Sequence, residues 1–162
     1  MEYKNECELL QEVYRGAAMG REAIRLLLPR VENARFRSDL MTQSRQYEST
    51  AANAEQQLRA LGKCPRELAE GKRNMLRMSL GMNTLLNRET SHLAELMIQG
   101  SNMGIVSLTK ILNSFGTPTQ NPAQTQQENL QTAPARNQAI QLARDTIRFE
   151  EDNIDRLKVY LQ

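Results

Sequence analysis

The stretch from Met75 to Leu112 limits what this chain can become more than any other. From Met75 the apolar or small residues Met78, Met82, Leu85, Leu96, Gly100 and Met103 return at the recurrence of one helical face. Leu76, Leu80, Leu86, Leu93 and Met97 form a second row one step round. A helix that is apolar on two sides has to be covered on two sides, so this segment is expected to be the inner member of a bundle. Five of the eight methionines lie between Met75 and Met103. Thioethers can bind copper(I), but at helical intervals among leucines they are expected to fill core space.

The rest of the chain supplies the cover. Leu10, Val13, Ala17, Gly20, Ile24 and Leu27 alternate at three and four, which predicts a first helix over about 5–28, stopped by Pro29. Leu40, Ser44, Tyr47, Ala51, Ala54, Leu58 and Leu61 repeat the device over about 31–61, with Gly62 as a C-terminal stop and Pro65 beyond it. A third helix is expected from Arg66, with a bend or break at Gly100 to Gly104 and a short extra helix from Ile105 to Phe115. Residues 116–133 turn to Pro, Gln, Thr and Asn and read as a flexible loop. A fourth helix begins near Pro134, with Ile140, Ala143, Ile147, Glu150, Ile154, Leu157 and Leu161 as its seam. The loop is long enough to leave that helix's direction open.

The expectation is therefore an all-α, antiparallel four-helix bundle in one domain spanning residues 1–162. Aromatic residues make up only 4% and charged ones 25%, which suits helices better than sheets. A net charge of +2, with no cluster of Lys and Arg interleaved with aromatics, argues against nucleic acid. The polar start Met1 to Glu6 and the lack of an 18-residue apolar run argue against a secretory leader and membrane insertion, so a cytoplasmic protein is expected. Folding the first two helices as a hairpin puts Cys7 opposite Asn53 and about 16 Å from Cys64. A disulfide needs Cα atoms within about 7 Å, so two free thiols follow.

Chemistry has one foothold. Glu89-Thr-Ser-His92 sets a carboxylate and an imidazole three residues apart on one face, and Glu95 adds a second carboxylate. Carboxylate-bridged iron and manganese bundles use this arrangement, because hard oxygens and one imidazole from a single helix can converge on a metal. With Glu12, Glu48 and Glu150, each helix nominates a ligand, and at this point the chain resembles the ferritin-like superfamily. A softer resemblance links Ser91 to Gly104 and Glu150 to Lys158 with uncharacterised bacterial ferritin-like and spore-coat F-type proteins. It implies ferritin-like topology, a metal site of Glu89, His92, Glu95 and Glu150 for iron, manganese or zinc, and a spore-associated location as the alternative.

The chain departs from that family's pattern in two ways. It has a single histidine, where the family uses a Glu-x-x-His pair on two helices. Hairpin arithmetic also puts Glu12 level with Glu48, and His92 beside Arg35, about 20 Å from Glu48. Glu12 and Glu48 are therefore expected at solvent-edging positions. Glu89 and His92 are expected to be satisfied by hydrogen bonds or by Arg25, Arg35 or Arg37, and Glu150 by Arg148 or a facing arginine. No nucleophile constellation or phosphate-binding glycine loop is present. The reading is a non-enzymatic structural or interaction protein with no cofactor and the capacity to form a homo-oligomer; the alternative is a divergent metal-binding protein.

Overall fold

A computed structural model describes residues 6–115 and 125–162, and their side chains except those of 83, 85, 86 and 125–132. Among the described residues there are five α-helices and no strand. They are α1 (Glu6–Leu27), α2 (Ala34–Ala60), α3 (Glu70–Leu86), α4 (Thr90–Phe115) and α5 (Thr125–Leu157). No described helix is long and apolar enough to cross a membrane.

The ends of α1 and α2 follow local chemistry. Pro29 sits in a 3-10 turn, Leu28–Arg30, and Asn33 caps α2 by accepting from the Phe36 amide at 2.8 Å. Gly62, at φ 71°, closes α2. The Lys63 amide reaches the Leu58 carbonyl and the Gly62 amide reaches that of Arg59, both at 2.9 Å, so two carbonyls at the helix end are satisfied. The Gln11 side chain then straps the next segment to α1, donating to the Cys64 carbonyl at 2.9 Å and accepting from the Arg66 amide at 2.8 Å. Cys7 and Cys64 are both free thiols.

Three expectations need correction. The long third helix breaks at Asn87 to Glu89 and not at Gly100 to Gly104. Asn87 is extended, and its side-chain oxygen takes the Glu89 amide at 2.8 Å, a local bond that competes with the helical ladder. The short extra helix after Gly100 is absent, because α4 runs unbroken through both glycines. Each glycine costs about 1 kcal/mol against alanine, and burial of Leu93, Met97 and Leu108 outweighs that at about 1.5–3 kcal/mol per large side chain. Finally, residues 116–124 of the expected loop lie outside the described residues, while 125–133 are helical, so α5 begins before Pro134.

The core has two parts. Leu9, Leu10 and Val13 pack with Ala54 and Leu58, Leu108 and Ile111, and Ala139, Leu142 and Ala143. Ile24 and Leu27 pack with Phe36 and Leu40, Leu80, Leu93 and Met97, and Leu157. Ring contacts fix the levels, with Phe36 4.9 Å from Tyr160, Tyr47 5.0 Å from Phe149, and the Arg136 guanidinium 5.0 Å over Phe115. α3 packs chiefly on α1, through Leu76 and Leu80.

Candidate functional site

Between the two halves of the core lies a buried polar layer. Its centre is Glu150 on α5, only 6% exposed, whose Oε2 accepts a 2.9 Å hydrogen bond from the Tyr47 hydroxyl. Tyr47 in turn accepts from Gln43 Nε2 at 3.3 Å. Ser101 on α4 is buried beside the pair. Its hydroxyl makes no hydrogen bond of standard geometry, yet its nearness still favours the ionised carboxylate. The Tyr47 ring lies directly on Gly20 of α1, where a Cβ would come within 2.5 Å of ring carbon Cζ.

The electrostatics follow from burial. Desolvation raises the Glu150 carboxyl above its usual range, opposed by Ser101 and the Tyr47 hydroxyl. Burial and the neighbouring carboxylate also push the Tyr47 hydroxyl far up, so it stays a donor. Among the described residues no arginine pairs with Glu150: Arg148 points to Asp145 at 3.9 Å, and both are exposed. The Tyr47 phenol, itself held by the Gln43 amide, takes the place of a cation.

The other nominated residues lie elsewhere. His92 is half-buried, with Nδ1 3.9 Å from Glu95 Oε2, and Glu95 is exposed. Glu89 lines an open cleft of about 580 Å³ with Asn33, Arg35, Thr90 and Tyr160. Of the arginines expected nearby, Arg25 binds Glu22 and Arg37 donates to the Val31 carbonyl, which leaves Arg35 as the one close to Glu89. Glu12 pairs with Arg15, while Glu48 lies 3.7 Å from Arg21. Glu12 and Glu48 are thus not level: the turn after α1 shifts the register, and Gly20 meets Tyr47.

These groups do not converge on one ion. Glu150 Oε1 lies 3.7 Å from the Cβ position of Gly104, twelve residues beyond His92 on the same unbroken helix. At 1.5 Å per residue that is about 18 Å, against metal–ligand bonds of about 2 Å. Among the described residues no group of three or more His, Cys, Asp or Glu is placed to hold a metal. The donors present, one carboxylate with a phenol, an amide and a hydroxyl, do not fit a carboxylate-bridged metal pair.

A different feature stands out on the surface. Met75, Met78 and Met82 of α3 are 70%, 67% and 68% exposed and Met103 of α4 is 70% exposed, so of the five methionines expected to fill the core only Met97 does so. The opposite side of α3 carries the buried Leu80 and Thr84, and the Thr84 hydroxyl is tied to the Leu80 carbonyl at 2.6 Å. Periodicity alone identified both rows, but not which one the chain itself would cover. The polar layer had a partial signal, since Tyr47, Glu150 and Gly20 all fall on seams; Gln43 and Ser101 had none. No family model, curated protein or solved structure matches the chain.

Proposed function

We propose that this protein is a non-enzymatic, cytosolic interaction module built on a ferritin-like bundle, with the methionine row of α3 as its contact surface. In this reading α1, α2, α4 and α5 are the four bundle helices and α3 is the long crossover of that topology. The two core clusters support it. Early α1, late α2, late α4 and the middle of α5 share one cluster, and late α1, early α2, early α4 and late α5 share the other. That pairing is the one expected if α1 and α5 run one way and α2 and α4 the other, with α3 carrying the chain back between α2 and α4.

The observation that carries the functional reading is the exposure of Met75, Met78 and Met82 together. Scattered surface hydrophobes need no explanation, but a contiguous row of flexible thioethers suits adaptable protein contact. The polar layer supports the non-enzymatic part, because Glu150 is already satisfied within the bundle and does not line the cleft beside Glu89.

The test is a triple variant, M75Q/M78Q/M82Q. It should keep the helicity and chelator-insensitive thermal midpoint of the parent, since exposed positions contribute little to the fold. It should also elute alone in size-exclusion chromatography where the tagged parent retains bound protein. Equal retention by parent and variant would remove α3 as the contact surface.

A further inference from the structure

The fold brings Cys7 and Cys64 to nearly one level on one face of α1. Gly20 meets Tyr47, and counting antiparallel from that contact sets Cys7 beside Ala60, where α2 ends. Gly62, in the left-handed region, then reverses the chain, and residues 63–69 run back along α1 without helical structure. Cys7, Gln11 and Tyr14 follow at four and three residues, so they share the face that this segment covers. The Gln11 side chain spans Pro65, holding the Cys64 carbonyl and the Arg66 amide, and the Tyr14 hydroxyl donates to Glu67 at 3.3 Å. The segment therefore climbs α1 in step with it, and Cys64 lies on the Cys7 side of the Gln11 strap. Cys7 is about 6 Å below Gln11 and Cys64 about 3.5 Å below Pro65, so the two cysteines differ in height by about 2–3 Å. Lys63, next to Cys64, is near enough for its charge to act on the Cys7 thiol.

The two thiols differ in access. Cys64 is exposed and lies near the Arg59 guanidinium, while Cys7 is half-buried against the cluster that also holds Leu61. Burial, and then Glu6, push the Cys7 thiol up, with Lys63 opposing them. We propose that Cys7 and Cys64 are a redox-sensitive pair that closes to an intramolecular disulfide by exchange with a small-molecule disulfide, fastening the connection between α2 and α3 to the start of α1. The exposed Cys64 thiolate attacks one sulfur of the small disulfide, forming a mixed disulfide and releasing one thiolate. Cys7, on losing its proton, attacks Cys64 Sγ, which breaks the mixed bond and releases the second thiolate. Two electrons pass from the protein thiols to the small disulfide, and the two thiol protons end on its released halves. A disulfide needs Cα atoms within about 7 Å. Cys7 is the second residue of α1, in a first turn whose amides have no helical partner, so this end of the helix yields most easily to close the remaining distance. Closure adds a covalent tie to a strap made of hydrogen bonds.

The test equilibrates the full chain, native or in concentrated urea, with defined ratios of reduced glutathione to glutathione disulfide, and reads thiol state by mass spectrometry without reduction. The native parent should become two hydrogens lighter and yield a peptide linking Cys7 to Cys64, at a ratio at least about tenfold more reducing than the unfolded chain needs. C7S should stop at a glutathione adduct on Cys64, and absence of that adduct overturns the order of attack. Q11A, which releases residues 64–66 from α1, should need a more oxidising ratio than the parent by about threefold or more. Native chains that carry glutathione on both cysteines without a link, or that link no more readily than in urea, overturn the pair. A link formed equally well in Q11A overturns the placement of Cys64 by the Gln11 strap.

Discussion

α3 and α4 are written in nearly the same residues, leucines and methionines in two rows, yet they end in different surroundings. α4 packs against both α1 and α5, so Leu93, Met97, Leu108 and Ile111 are buried. α3 packs chiefly on α1, so Leu80 is buried and Met75, Met78 and Met82 face out. The difference teaches that a two-row helix announces two covers without saying that both come from its own chain. In α4 the fold covers the row of Leu93, Met97, Leu108 and Ile111 while Met103 stays 70% exposed, and in α3 the row of Met75, Met78 and Met82 is left uncovered by the described residues.

The contrast can be broken most decisively by removing one methionine from each helix. Met97→Ala should cost about 2–5 kcal/mol, as truncation of a buried large side chain does. Met78→Ala should stay within about 0.5 kcal/mol for the monomer. Urea unfolding of both variants at low protein concentration checks this, and equal losses would erase the distinction.

A smaller effect is expected at the polar layer. Gly20→Ala should destabilise by about 1–3 kcal/mol, because its Cβ would run into the Tyr47 ring. That ring has Phe149 5.0 Å away and its hydroxyl bound to Glu150, so it has little freedom to retreat. Unfolding midpoints of this variant equal to those of the parent would show that the ring can move.

The same layer makes a pH prediction. Burial raises the Glu150 carboxyl in the folded chain above its ordinary value of 4.5, so the folded state holds the proton more tightly than the unfolded one. Its contribution is fully present below that ordinary value and is lost as pH rises through the folded value. E150Q retains an oxygen for the Tyr47 hydroxyl and has no proton to lose. The parent should therefore lose more stability than E150Q between pH 4.5 and 7.5 in paired urea titrations, and identical slopes would contradict the burial of an ionisable group there. The smallest change is Gly100→Ala on α4. A Cβ there meets nothing within 4 Å, so the variant should gain about 0.5–1 kcal/mol from helix propensity, read as a raised urea midpoint.

Much of the bundle was legible because burial follows helical phase. Leu10, Val13, Ala17, Ile24 and Leu27 of α1, and Leu40, Tyr47, Ala51, Ala54 and Leu58 of α2, are buried as their spacing indicates. Glu150 was legible in the same way, as the one carboxylate on an apolar seam. Height along the bundle was not legible, since it depends on how many residues a turn consumes. That is why Glu12 and Glu48 were expected level, and why phase alone could group His92 with Glu150. The break at Asn87 was hidden because one side-chain hydrogen bond decides it, whereas the conspicuous glycines at 100 and 104 are overruled by packing.

The most direct measurement is the rate at which peroxide oxidises each methionine in the folded protein, read by mass spectrometry at low protein concentration. Met75 and Met82 on α3 should oxidise nearly as fast as exposed Met103, while buried Met97 stays protected until the chain unfolds. Protection of Met75 and Met82 equal to that of Met97 would mean that the chain covers α3 on both sides itself, and the surface on which this account rests would not exist.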